Sequence, residues 1–146
     1  MAALISVEVS QIGPATSEGR VRQHTVLIDR PVAKEGEDRG AMGGELLLIS
    51  LGGCFMSNLL AAIKARSADV SDVQIAIDGT LESAPARFSA VQMTIHAQYS
   101  DRDLMEKLVT ISERACIVAN TLKHAVDLTI RIAKVPGTSR TTTVSL

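Results

Sequence analysis

Apolar and polar residues alternate at the start of the chain, with Ile5, Val7 and Val9 set against Ser6, Glu8 and Ser10. This is the two-residue period of a half-buried strand. It predicts a first strand over residues 3–10, a Gly/Pro/Ser-rich turn at "GPATSEGR", and a second strand in "VRQHTVLID" at 21–29, giving an N-terminal hairpin over 3–29. Residues 30–44, "RPVAKEGEDRGAMGG", show no period and read as a Gly-rich loop. From Glu45 to Arg66 the chain is apolar on nearly every side, which predicts a long helix buried in the middle of the protein. Alternation returns at Val73, Ile75 and Ile77, and again at Val91, Met93, Ile95, Ala97 and Tyr99, across a turn at Ser83–Ala86. Ser100 and Asp103 read as a capping pair opening a second helix. Its apolar stripe is Leu104, Leu108, Ile111 and Ala115. A short helical turn over 117–125, a last strand marked by Leu128, Ile130 and Ile132, and a Thr/Ser-rich tail over 134–146 complete the reading.

The order β-β-α-β-β-α-β implies an α+β fold with a largely antiparallel sheet. One domain over residues 1–146 is expected, with a helix-sheet core over 45–133. An aliphatic central helix of this length needs more cover than one such chain supplies, so a homodimer is expected.

Composition narrows the function. The net charge is −1 and no basic stretch stands out, which argues against a nucleic-acid or membrane-surface partner. The start, "MAALISVEVSQIG", lacks the features of a signal peptide, and the run Leu46–Ala62 is too short and interrupted for a span, so a cytoplasmic location is expected. "GAMGGE" lacks the lysine and hydroxyl of a phosphate-binding loop. His24, His96 and His124 show no metal-ligand spacing, and His96 falls on the polar face of its strand. Neither a metal nor any other cofactor is expected.

What remains is sulfur. The chain has two cysteines. Cys54 sits directly after Gly52 and Gly53 inside the most apolar helix, where each glycine costs about 1 kcal/mol relative to alanine. The simplest reading of Cys54 is a small buried hydrophobe. The glycines suggest instead clearance around a thiol, and Cys116, at the end of the second helix, could meet it in space.

"GGELLLISLGGCF" and "ACIVANTL" together resemble the OsmC/Ohr family, the osmotically inducible protein C and organic hydroperoxide resistance proteins. "HTVLIDRPVAKEGEDRG" matches the style of its OsmC-like branch, and the similarity covers roughly residues 5–133. The resemblance implies an intertwined homodimer and a thiol peroxidase acting on organic hydroperoxides. Cys54 would attack and Cys116 resolve, with a lipoyl-type dithiol as external reductant. Leu47, Leu51 and Phe55 would shape an apolar pocket for a hydrophobic hydroperoxide.

The family activates its attacking thiol with an arginine held by a glutamate. The glutamate's usual place relative to the cysteine is Gly44 here, and Glu45 follows it. At about 100° per residue, Glu45 lies about half a turn from Cys54. Glu45 is thus either the activating carboxylate or a first-turn acid favouring the helix dipole. Arg20, Arg22, Arg30 and Arg39 are the arginine candidates, with Arg30 preferred for its place between "LID" and Pro31. Ile117 stands where a proline often follows the second cysteine. A different reading is a dimeric small-molecule or lipid-binding protein on the same fold, with redox-sensing or incidental thiols.

Overall fold

A computed structural model describes residues 2–124, 129–133 and 141–145. The N-terminal part contains three strands where the alternation predicted two: β1 (Glu8–Gln11), β2 (Ser17–Val21) and β3 (His24–Ile28), paired antiparallel in that order. The stretch read as a turn therefore supplies the central strand. The connection is tight: Ile12 and Gly13 N–H both donate to Thr16 O, and Arg22 turns the next corner at φ 53°. Residues 3–7 carry no regular structure despite their alternation.

Helix α1 (Gly43–Ala65) begins two residues before the predicted start. Glu45 accounts for that start, because its carboxylate accepts from the Met42 N–H at 2.8 Å and satisfies an orphan donor of the first turn. A long hairpin follows, β4 (Val70–Glu82) and β5 (Arg87–Tyr99), with the predicted turn between them. Ile75 faces Ile95 and Ile77 faces Met93 across the pair. These residues, with Val73 and Ala97, form the half-buried face on which α1 lies, while Val91 and Tyr99 remain exposed.

Helix α2 (Arg102–Ala115) is capped by Asp101 and not by the predicted Ser100/Asp103 pair, the Asp101 carboxylate accepting from the Leu104 N–H at 3.1 Å. Met105, Leu108 and Ser112 form its buried stripe, with Leu104 and Ile111 half-buried and Ala115 exposed. The stripe is rotated toward Met105 because α2 packs onto α1 as well as under α3. Helix α3 (Ile117–Lys123) follows directly. The described C-terminal residues pair as β6 (Thr129–Ala133) and β7 (Thr141–Ser145), so the predicted tail contributes a strand. Leu128, a marker of the last predicted strand, lies outside the described residues, as do 134–140 of the tail.

The core sits where α1, α2 and α3 meet: Leu51, Phe55, Leu59, Ala62, Met105, Leu108, Cys116 and Ala119. Each large aliphatic or aromatic side chain buried there contributes about 1.5–3 kcal/mol. α1 is apolar all round, as predicted, but the single chain buries only one face of it. By length and composition it could cross a membrane, and 22% of its most apolar stretch is buried in this fold. Gly52 explains how closely α1 approaches the hairpin: a Cβ there would lie 2.7 Å from Ile77 Cδ1. Gly53 faces open space. Gly52 thus serves helix-on-sheet packing, where clearance around the thiol was expected.

Candidate active site

Cys54 and Cys116 are brought together by two elements. α1 turns Cys54, half-buried, toward α3, and Cys116 is the single residue between α2 and α3. Its backbone is extended (φ −77°, ψ 111°), which ends one helix and opens the next. Its Sγ accepts from the Ala119 N–H at 3.5 Å, so a thiol performs the N-cap duty usually given to Ser, Thr, Asp or Asn. Cys116 is fully buried.

The first turn of α3 points its N–H groups at Cys54. Burial pushes the Cys54 thiol up, but the neighbouring Val118 N–H, Cys116 thiol and Ile117 N–H together hold its pKa below the ordinary thiol value. Burial likewise raises Cys116, and the Ala119 N–H opposes it. The hydrogen bond to Cys54 and the charge there raise Cys116 further, leaving it above the ordinary value despite the Val118 N–H. The two thiols are thus pushed in opposite directions, Cys54 toward the thiolate and Cys116 toward the protonated form. That division suits a nucleophile paired with a proton-bearing resolving group.

Ile117, in place of the family's frequent proline, takes part in this arrangement. A proline there has no N–H, whereas Ile117 supplies one to Cys54.

Glu45 lies on the exposed N-terminal turn of α1, engaged in its cap. Arg20, Arg22, Arg30 and Arg39 are exposed. Arg20 contacts Glu18 at 3.6 Å, and neither Glu45 nor Arg30 belongs to an ion pair among the described residues. None of these side chains is among the groups that shift the Cys54 thiol.

Leu47, Leu51 and Phe55 line a cavity of about 630 Å³ together with Phe88, Met93 and Val109. Its wall includes Ala119 of α3, and Glu113 and Lys123 also line it. The cavity thus adjoins the corner that holds Cys116. Among the described residues no group of three or more His, Cys, Asp or Glu side chains is placed to hold a metal ion.

Asp29 was not singled out by sequence. It is buried, and its carboxylate accepts from Thr16 Oγ1 at 2.8 Å and from the N–H groups of Arg30, Glu37 and Arg39 at 2.7, 3.3 and 3.2 Å. These bonds gather the loop that carries Arg30 and Arg39. The loop's tightness is visible at Gly36, where a Cβ would sit 2.0 Å from the Arg30 carbonyl oxygen. An acidic residue closing a strand before a Gly-rich loop is a weak signal, and nothing local distinguishes Asp29 from a surface carboxylate.

A mixed helix-and-sheet domain with two thiols facing each other at a helix corner defines the class of protein. The profile of the OsmC-like protein family matches residues 36–131, and the chain belongs to that family. Among solved structures, an OsmC-like protein from Mycoplasma pneumoniae is similar at 15% identity and a TM-score of 0.71, over 84% of this chain and 89% of that one. A hypothetical protein from Aquifex aeolicus VF5 is similar at 21% identity and a TM-score of 0.71, again over 84% and 89%. An organic hydroperoxide resistance protein from Elizabethkingia anophelis is similar at 16% identity and a TM-score of 0.58, over 82% and 89%. At these identities the likeness is one of fold. No curated protein matches the sequence.

Proposed function

We propose that this protein is a cytoplasmic, homodimeric thiol peroxidase that reduces organic hydroperoxides, with Cys54 as nucleophile and Cys116 as resolving thiol. The observation that carries this reading is that the fold brings two free thiols to one helix corner of the core, where their surroundings push them in opposite directions. The Cys54 thiolate attacks the outer oxygen of the hydroperoxide, the O–O bond breaks, and the departing alkoxide takes a proton to leave as an alcohol. Cys54 is then a sulfenic acid. The Cys116 sulfur attacks it, an S–S bond forms, and water leaves with the Cys116 proton. An external dithiol, of the lipoyl kind, returns the pair to two thiols by exchange. The apolar cavity beside the corner suits a hydrophobic substrate.

The test is consumption of cumene hydroperoxide with a dithiol by wild type, Cys54→Ser and Cys116→Ser. Cys54→Ser is expected to abolish turnover, and Cys116→Ser to allow one stoichiometric oxidation. Equal rates in wild type and Cys54→Ser would overturn the reading. The second reading, a binding or redox-sensing protein, draws support from Glu45, whose carboxylate is committed to the helix cap. It expects ligand retention in the cavity with no turnover by wild type.

A further inference from the structure

The α2–α3 corner turns at one residue and is tied on both sides of it. The Cys116 N–H donates to Glu113 O at 3.2 Å, closing α2, and the Asn120 N–H donates to Cys116 O at 3.0 Å, opening α3. Two side-chain ties then span the corner. Asn120 Nδ2 donates to Arg114 O at 3.1 Å, and Lys123 Nζ pairs with the Glu113 carboxylate. Arg114 O is among the last four carbonyls of α2, which have no partner within the helix. Asn120 therefore reaches back across Cys116, from the middle of one helix to the last turn of the other.

We propose that Asn120 is a positioning residue for the thiol pair: its amide fixes the helix corner at which the buried Cys116 meets Cys54. The proposal rests on the two-thiol reading above and deepens it. Disulfide formation requires the two sulfurs to close to bonding distance, with Cα atoms about 4.4–6.8 Å apart. The tie fixes the corner that carries Cys116 before any bond forms. Without the tie, the dithiol form also populates corners in which the sulfurs are apart, and their ordering must be supplied when the bond forms. The effective concentration of Cys116 at Cys54 falls, and the equilibrium moves toward the dithiol. Lys123 and Glu113 act in the same direction, more weakly, because both are half-exposed and such pairs contribute little.

The experiment equilibrates wild type, Asn120→Ala, Asn120→Asp and Asn120→Gln with dithiothreitol and its cyclic disulfide, reading the Cys54–Cys116 bond by mass after alkylation. In this exchange the protein S–S bond breaks, the reagent's S–S bond forms, and two electrons and two protons pass to the cysteines. Asn120→Ala and Asn120→Asp, neither able to donate to Arg114 O at neutral pH, are expected to shift the equilibrium about 2–10-fold toward the dithiol. Asn120→Gln keeps a donor and is expected to lie closer to wild type. Helicity and thermal melts check the fold. Should Asn120→Ala and Asn120→Asp fail that check, Asn120→Ser carries the test, with a shift in the same direction expected and an unchanged equilibrium overturning the proposal. Wild-type equilibrium in Asn120→Ala and Asn120→Asp, with the wild-type disulfide formed, also overturns it. If wild type forms no Cys54–Cys116 disulfide at all, the two-thiol reading itself falls.

Discussion

At the two sulfur atoms, burial and hydrogen bonding pull in different directions, and main-chain geometry decides the outcome. No cationic side chain is among the groups that shift Cys54, yet N–H groups of α3 hold its pKa down. Ile117 is the residue through which this can be tested. It is the first residue of α3, a position that tolerates proline, and Cys116 before it already has the extended backbone a proline requires. Its side chain is 66% exposed, so little packing is lost. Ile117→Pro removes one donor to Cys54 and is expected to raise that thiol's pKa. Because the thiolate is the reactive form, the pH profile of iodoacetamide alkylation should move to higher pH, with several-fold slower reaction at neutral pH. An unchanged profile would mean the Ile117 N–H does not stabilise the thiolate. The two cysteines were legible in sequence as residues worth pairing. The N–H groups beside them were not, because backbone N–H groups carry no letter, and Glu45 is seen here in the helix cap.

Among the elements, those with a strong period were readable and those held by their neighbours were not. Helix α1 and the β4–β5 hairpin follow from apolar spacing and turn chemistry alone. Strand β2, "SEGRV", has neither alternation nor strong strand formers, and it becomes a strand because β1 and β3 pair with both its edges. Immediately beyond this sheet, Asp29 gathers a loop by accepting from four donors. Burial raises its pKa, but the hydrogen bonds from Thr16, Arg30, Arg39 and Glu37 outweigh it and hold the carboxyl below its usual value. A lowered folded-state pKa contributes stability that is present above the ordinary carboxylate pKa and lost as pH falls through the folded one. Thermal melts across an acid series should therefore show wild type losing stability in that window. Asp29→Asn is expected to melt lower at neutral pH and to lose less on acidification. Parallel melting curves for the two proteins would remove Asp29 from this role.

For the molecule as a whole, the unresolved balance is at the back of α1. Ile49, Gly53, Met56 and Leu60 fall along one stripe, with Ile49 59% and Leu60 51% exposed in the single chain. Apolar contact spaced in this way, with a glycine at its centre, suits close packing against another helix. In the proposed homodimer this stripe is covered by the second copy. Ile49→Glu combined with Leu60→Glu is expected to yield a monomer by sedimentation, while wild type sediments as a dimer. A wild-type monomer at micromolar concentration would leave the stripe without that explanation. Sequence pointed to the need for cover through the uninterrupted apolar character of α1, but only the fold shows which face remains over.

Cys116 carries a cost of another kind. Sulfur is a weak acceptor, and it stands where an oxygen would anchor seven residues of helix more firmly. On the proposed function, the start of α3 trades local order for electron exchange. That helix is therefore held in place by its surroundings, through buried Ala119 and the ties at the corner, more than by its own first turn.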